Sequence, residues 1–371
     1  MNEYIGRIRL FASLLSDKNI DAAVFFNERH FDYDIAYFTG LSIKNSFLII
    51  TKKGNSYFFA SEMEYEKAAR FLPSSIKPKK LSSLDGLAAF VLRGRPGHIG
   101  LSYNLSYKMF KKIKSALKQR AKNTRITDIS GLSLKQRAIK TKQEIKTIKK
   151  SYNIASEILS KAILAIKRGK LRSESEIRDF LISKTKESNC SLAFEPIVAS
   201  GKNSSMPHYL APEKKLNKGF CIIDFGVKYK NYCSDITRTI YIGKISEHER
   251  KAYSLLLSAQ KRAISSLKQG LRFSDLDAQV RADLGKYSKN FIHGLGHGLG
   301  LYIHELPSLH AKTKDKLTEN MIFTIEPGIY FPGKFGIRIE DGILFSKNKA
   351  IILSRLPKEL TIIEKTKKAK R

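Results

Sequence analysis

Four acidic residues stand inside apolar, strand-like runs, where a lone charge is costly. Asp224 and Asp235 lie between Phe220 and Ile242; Glu326 and Glu340 lie between Met321 and Phe345. Each run is rich in β-branched and aromatic residues and is split by a short polar or Gly-containing break, the pattern of a β-hairpin. A turn centred between Tyr229 and Lys230 sets Asp224 opposite Asp235, and a turn centred on Gly333 sets Glu326 opposite Glu340. Opposed residues have Cβ atoms about 4.5–5.5 Å apart, so each pair of carboxylates repels. One such pair is ordinarily a solvated pair on an open sheet face. Two pairs at mirror positions of two hairpins suggest a cation site, because a cation turns repulsion into ligation. Between the hairpins, Phe291 to Glu305 alternates glycines with three histidines. That spacing disfavours a helix and allows the backbone close to a site.

Two divalent cations neutralise four carboxylates, and one neutral histidine as a fifth ligand leaves the charge unchanged. A water bridging metals roughly 3.5–4 Å apart deprotonates readily and becomes a nucleophile at neutral pH. Oxygen-rich ligation favours manganese, then cobalt or iron, over zinc.

The elements that must position these residues follow from hydrophobic period and caps. Tyr4–Ser16 has helical spacing, Asp21–Phe26 reads as a strand, and Ser46–Ile50 with Ser56–Ala60 as a hairpin. Glu62–Phe71 and Tyr107–Lys122 read as helices, with Gly97–Ser102 a strand between them. This predicts an α/β domain over residues 1–130. Beyond it the order changes. Thr141-x-x-Glu144, Ser173-x-x-Glu176 and Ser246-x-x-Glu249 are capping boxes that open helices, and Ser274 reads as the cap of a fourth. Helix, helix and a strand pair bearing two acids thus occur twice within residues 131–371. An internal duplication follows, with quasi-twofold symmetry and the two hairpins facing each other.

The chain has 371 residues, 68 Lys and Arg against 34 Asp and Glu, and a formal charge of +34. Such a balance invites a polyanion, although the lysines are scattered through every segment. The densest stretch is Lys111–Lys150, and a basic tail runs from Lys365 to Arg371; neither carries an aromatic-interleaved nucleic-acid motif. No run is apolar enough to span a membrane, and the N-terminus does not read as a signal peptide. Cys190, Cys221 and Cys233 fit a reducing compartment, the cytoplasm, and Cys221 and Cys233 read as small buried residues, not as metal ligands or a disulfide.

Asp224-x10-Asp235, Gly296-His297-Gly298, Glu326-Pro327-Gly328-x-Tyr330 and Arg338-x-Glu340-Asp341 together resemble the pita-bread dinuclear metallopeptidases, most closely the aminopeptidase P and prolidase branch. The resemblance covers about residues 135–350, and Tyr37-Phe38-Thr39-Gly40 resembles the creatinase-like N-terminal domain of that branch. It implies an α+β fold: a pita-bread catalytic domain after a smaller α/β domain. It implies that Asp224 chelates one metal, that Asp235 and Glu340 bridge both, and that His297 and Glu326 hold the second. His208, His293 and His304 match histidines that bind the scissile carbonyl and the proline side and help move protons, and Arg338 matches a positioning arginine. Taken singly, these residues have plainer explanations: a loop histidine, a core histidine, an ion pair of His304 with Glu305, a salt bridge of Arg338 with Asp341. His30, His98, His248 and His310 read as surface or structural.

The implied activity is hydrolysis of the peptide bond ahead of proline by a manganese-dependent homodimer. A metal-free binding relative of the fold is the competing reading, and the intact ligand set counts against it. Methionine aminopeptidase is a third, opposed by the extra N-terminal domain. Prolidases hold a dipeptide's free carboxylate, and in archaeal-type prolidases the run His-Glu-x-Pro-Arg supplies a candidate anchor. Here that run is His304-Glu305-Leu306-Pro307-Ser308. The neutral Ser308 favours an aminopeptidase P-like enzyme acting on tripeptides and longer chains, with a dipeptide-cleaving prolidase as the alternative.

Overall fold

Capping and hydrophobic period place most elements where the sequence puts them. The computed structural model describes residues 3–28, 31–210 and 215–364. His30 and the basic tail lie outside the described residues. The chain forms two compact units, residues 1–137 and 138–371.

In the first unit the order is α1 (Glu3–Asp17), β1 (Ala22–Asn27), α2 (Tyr33–Thr39), β2 (Ser46–Thr51), β3 (Ser56–Ala60), α3 (Glu62–Phe71), β4 (Ile76–Lys80), α4 (Leu84–Val91), β5 (His98–Leu101), α5 (Tyr107–Arg120), β6 (Arg125–Asp128) and α6 (Ser130–Ala138). The six strands make one mixed sheet in the order β4-β3-β2-β1-β5-β6. Every residue of β1 is buried, as expected of a central strand covered on both faces. The α5 helix turns Ile113, Ala116 and Leu117 inward and leaves its lysines outside.

The second unit holds α7 (Lys142–Lys167), α8 (Glu174–Glu187), β7 (Ser191–Leu192), β8 (Ile197–Ser200), β9 (Gly219–Phe225), β10 (Val227–Tyr229), β11 (Tyr232–Cys233) and β12 (Ile236–Ile242). It continues with α9 (Glu247–Ser265), α10 (Phe273–Leu284), β13 (Gly296–Gly298), β14 (Glu305–Leu309), β15 (Ile322–Ile325), β16 (Gly328–Phe331), β17 (Phe335–Arg338), β18 (Asp341–Ser346), β19 (Lys349–Ile352) and β20 (Ile362–Ile363). Two helices followed by strands therefore occur twice. The larger sheets run β20-β12-β9-β8 and β14-β13-β15-β18-β19. All three capping boxes form, at Thr141, Ser173 and Ser246. Ser274 is not a cap. The α10 helix starts two residues earlier than such a cap would set it, after Arg272, and the Ser274 hydroxyl donates to Asp275 Oδ1 within its first turn. The cysteines are free, and Cys221 and Cys233 are buried; burial pushes the Cys233 thiol up to about 12. No described helix is long and apolar enough to cross a membrane.

Candidate active site

Asp224 is the penultimate residue of β9, and Asp235 immediately precedes β12. The hairpin between them turns on Lys230 and Asn231, both at positive φ (47° and 68°), one residue later than the sequence suggests. Asp224 consequently lies opposite Thr237 and not opposite Asp235. The partner shifts by two residues, and side chains alternate with period two, so both aspartates still face one side. The second hairpin keeps its expected register. Gly328 pairs with Arg338 on one side and Ile325 with Asp341 on the other, which leaves Glu326 opposite Glu340 in the gap between the two strand pairs. The gap exists because Pro327 has no N–H to give the ladder.

His297 comes from the short strand β13, whose neighbours crowd it. A Cβ at Gly296 would collide with the Thr324 carbonyl, and one at Gly298 with the Leu306 carbonyl. The alternating glycines let β13 sit between β14 and β15. His297 Nδ1 lies 3.1 Å from the Gly298 carbonyl, which marks Nδ1 as the protonated nitrogen. Nε2 then carries a lone pair, aimed 3.6 Å from Asp235 Oδ2 and 3.3 Å from Glu326 Oε1. Asp235, His297 and Glu340 each offer a donor atom, all within 4.8 Å of one another.

The electrostatics are unfavourable without a cation. Burial, then the neighbouring Glu340, Asp224 and Glu326, push the Asp235 carboxyl well above the usual range. Burial, then Glu326 and Asp224, do the same to Glu340, and Glu326 is raised chiefly by burial. Burial lowers His297, so it faces these acids neutral. Among the described residues no Lys or Arg pairs with Asp235, Glu326 or Glu340. Asp224 Oδ1, Asp235 Oδ1 and Glu340 Oε1 are buried and accept no hydrogen bond. Buried carboxylate oxygens without donors are rare because the loss of water goes uncompensated. Oxygens left open around one neutral imidazole fit divalent cations.

Arg338 is buried, and three of its nitrogens are engaged: Nη2 to Asp224 Oδ2 at 2.6 Å, Nη1 to the Tyr330 hydroxyl at 2.7 Å, and Nε to Thr237 Oγ1 at 3.2 Å. It does not neutralise Asp341, which pairs with Arg238 at 2.8 Å and with Lys358 at 2.8 Å. Thr237 donates to Glu340 Oε2 at 2.7 Å, and Thr324 donates to Glu326 Oε1 at 3.1 Å. His208, His293 and His304 all line one cavity with the five candidate ligands and Arg338. Its volume is about 450 Å³, and Phe194, Ile197, Pro207, Leu210 and Ile303 supply apolar wall. His293 Nδ1 meets the Gly294 carbonyl at 2.8 Å and Nε2 meets the Tyr330 hydroxyl at 3.1 Å. His304 packs edge-on against His297, with ring centroids 4.3 Å apart. It does not pair with Glu305, whose carboxylate turns to Lys140 and to the Tyr302 amide. Shielding from bulk water, then the nearby His297, lowers His304 to about 4.

The model of metallopeptidase family M24 matches residues 146–347, and the creatinase/prolidase N-terminal domain matches residues 7–139. An Xaa-Pro dipeptidase from Pyrococcus furiosus is 34% identical over 330 residues, 88% of this chain and 92% of its own length. The chain belongs to metallopeptidase family M24. Among solved structures, a prolidase from Pyrococcus horikoshii OT3 superposes with a TM-score of 0.83 at 32% identity, covering 97% of this chain and all of that one. An X-Pro aminopeptidase from Thermotoga maritima superposes with a TM-score of 0.82 at 31% identity, covering 96% and 99%. The fold is the pita-bread α+β architecture with a creatinase-like N-terminal domain, and the protein is a metal-dependent peptidase.

The remaining histidines of this M24 peptidase are structural or peripheral where described. His98 bonds Asn19 O and Thr127 Oγ1, His248 meets the Tyr287 hydroxyl, and His310 accepts from the Lys312 amide. Sequence reading gave no role to Tyr330, Thr237 or Thr324. Tyr330 stands in the Glu326-Pro327-Gly328-x-Tyr330 run and could have been asked for one. The threonines carry no local signal, since their partners lie across strands. Tyr152, fully buried on α7, was missed as well. Burial, then Asp235 and Glu340, hold its hydroxyl well above the ordinary range.

Proposed function

We propose that the protein hydrolyses the peptide bond between an N-terminal residue and a following proline, with two divalent ions held by Asp224, Asp235, His297, Glu326 and Glu340. The observation that carries this reading is the set of three partnerless buried carboxylate oxygens on one cavity wall. The relatives named Xaa-Pro dipeptidase and X-Pro aminopeptidase supply the substrate class. Bound there, the ions supply Lewis acidity, polarising the carbonyl and making water acidic. Oxygen-dominated ligation favours manganese, with cobalt, iron or zinc able to substitute.

The chain's own residues prepare that chemistry. Arg338 holds Asp224, and Thr237 and Thr324 fix the rotation of Glu340 and Glu326. Orienting contacts of this kind typically matter 10–100-fold in metal affinity or activity. His304 stays neutral at pH 7 and can pass a proton at the cavity wall, with His208 beside it on the same cavity. His293, tied to Tyr330, holds the Arg338–Tyr330 group in register.

Tripeptides and longer chains are the better substrates in this reading. Arg338 is the one Lys or Arg among the described residues on the cavity wall, and its donors already serve Asp224, Tyr330 and Thr237. Ser308 pairs with His297 on the neighbouring strand and brings no charge. A dipeptide's carboxylate would thus find no free cation among them. Metal-stripped protein reloaded with manganese should cleave Xaa-Pro-Yaa faster than Xaa-Pro. Full activity without metal would remove the metal-centre reading. A dipeptide preferred tenfold or more in kcat/KM, about 1.4 kcal/mol, would replace the aminopeptidase with a prolidase. A homodimer and a cytoplasmic setting belong to the same proposal, the latter supported by the free thiols. A monomeric mass by light scattering would reject the dimer.

A further inference from the structure

One carboxylate on the cavity wall is left over when the five candidate ligands are assigned. Glu195 lies in the segment between β7 and β8 and lines the cavity. Its placement follows from the sheet. Ile197 pairs with Asp224, and the Ala193 amide donates to the Gly226 carbonyl at 3.0 Å, so residues 193–197 run alongside the first acid of the site. Glu195 differs from the four acids among the candidate ligands: it is exposed, and among the described residues it has neither a hydrogen bond nor an ion pair. Its neighbours Phe194 and Ile197 are apolar, and so are Leu210 and Ile303 on the same cavity. Apolar walls with one acid at their edge suit a long aliphatic stem that ends in a cation.

We propose that Glu195 is a specificity residue that binds a cationic group carried by the first residue of the substrate. Two groups share that chemistry: the ammonium or guanidinium of a Lys or Arg side chain, and the α-ammonium that every such peptide bears. The proposal rests on the Xaa-Pro peptidase reading and adds what that reading leaves open, the identity of Xaa.

The test compares Lys-Pro-Yaa with norleucine-Pro-Yaa, which has a similar stem and no charge, on the wild-type enzyme and on Glu195→Gln. If the side chain is the ligand, the wild type prefers Lys by about fivefold, the upper range for a solvent-exposed ion pair. Glu195→Gln then loses that preference while its norleucine rate stays the same. If the α-ammonium is the ligand, Glu195→Gln raises KM for both peptides by a similar factor at unchanged metal content. Glu195→Lys adds a reversal: Glu-Pro-Yaa should overtake Lys-Pro-Yaa under the side-chain assignment. An unchanged Lys-to-norleucine ratio with unchanged KM in Glu195→Gln overturns the proposal. Wild-type turnover of norleucine-Pro-Yaa tests the peptidase reading separately. Calorimetric binding of both peptides to the metal-stripped full chain reads the Glu195 contact even where no hydrolysis occurs: equal affinities in wild type and Glu195→Gln would reject it.

Discussion

At the scale of single residues, the site is a cluster of acids whose burial is tolerable only with cations. Removing one acid should therefore act oppositely on stability and on function. In metal-stripped protein Asp235→Asn relieves repulsion with Glu340 and Asp224, and the melting temperature should rise by about 2–4 °C, the equivalent of roughly 1 kcal/mol in a domain of this size. The same variant should lose both peptidase activity and the stabilisation that added manganese gives the wild type. A metal-free variant less stable than the wild type would mean that Asp235 has an unrecognised partner. Thr237 tests the next contact outward. Thr237→Val removes the donor to Glu340 and the acceptor from Arg338 while keeping the shape. We expect activity or metal affinity to fall about 10–100-fold with the fold intact, and unchanged kinetics would show that Glu340 needs no such guide. The acids were legible in the sequence because a charge inside a β-branched run stands out. Thr237 was not, because a threonine in a strand is ordinary and its two partners are a hundred residues away.

At the scale of elements, the turns decide what can be read. Gly333, at φ 67°, marks its turn unambiguously, and the register of Glu326 and Glu340 follows. The first hairpin turns on Lys230 and Asn231 without a glycine, so its centre was misplaced by one residue; only the period of two kept both aspartates on one face. Short or weakly patterned elements were missed, among them the seven-residue α2 and β4, where Lys77-Pro78-Lys79-Lys80 shows no apolar alternation. The loop that carries His208 depends on α8 in a way no local pattern announces. Glu174, fully buried at the start of that helix, accepts from the Ser200 amide, the Ser200 hydroxyl and Asn203 Nδ2, and so ties down the stretch that leads to His208. Glu174→Ala should leave the Ser200 amide and hydroxyl buried and without this acceptor, at a cost of about 1–3 kcal/mol for each one that water does not reach, while Asn203 Nδ2 keeps the Tyr209 hydroxyl at 3.0 Å. Thermal melting should drop accordingly, and kcat/KM should fall while the bound metal per chain stays constant. Loss of metal instead would place Glu174 in the support of the ligands and not of the loop.

At the scale of the whole molecule, the charge of +34 is the property that the peptidase reading does not use. Part of the basic stretch is structural. Arg137 is buried against Asp34 at 2.9 Å, and Lys140 is buried with Glu305. The α5 face is different. Lys108, Lys111, Lys112 and Lys114 are exposed, and none has an acidic partner among the described residues. Lys111 and Lys114 lie over the Tyr107 and Phe110 rings at 5.0 and 5.5 Å, an aromatic interleaving that the sequence alone did not suggest. Such a face should bind a polyanion by releasing its counterions, weakly and without regard to base sequence. For four lysines in contact, the logarithm of affinity for duplex DNA should fall with the logarithm of salt at a slope of about 3–4. Replacing all four with glutamine should flatten that slope and leave peptide hydrolysis unchanged, since the cavity lies wholly in residues 194–340. No binding at low salt, or binding that ignores salt, would assign the charge to solubility alone. A sequence preference among duplexes would be equally damaging, because lysine heads on a helix face contact phosphates and carry no means of reading bases.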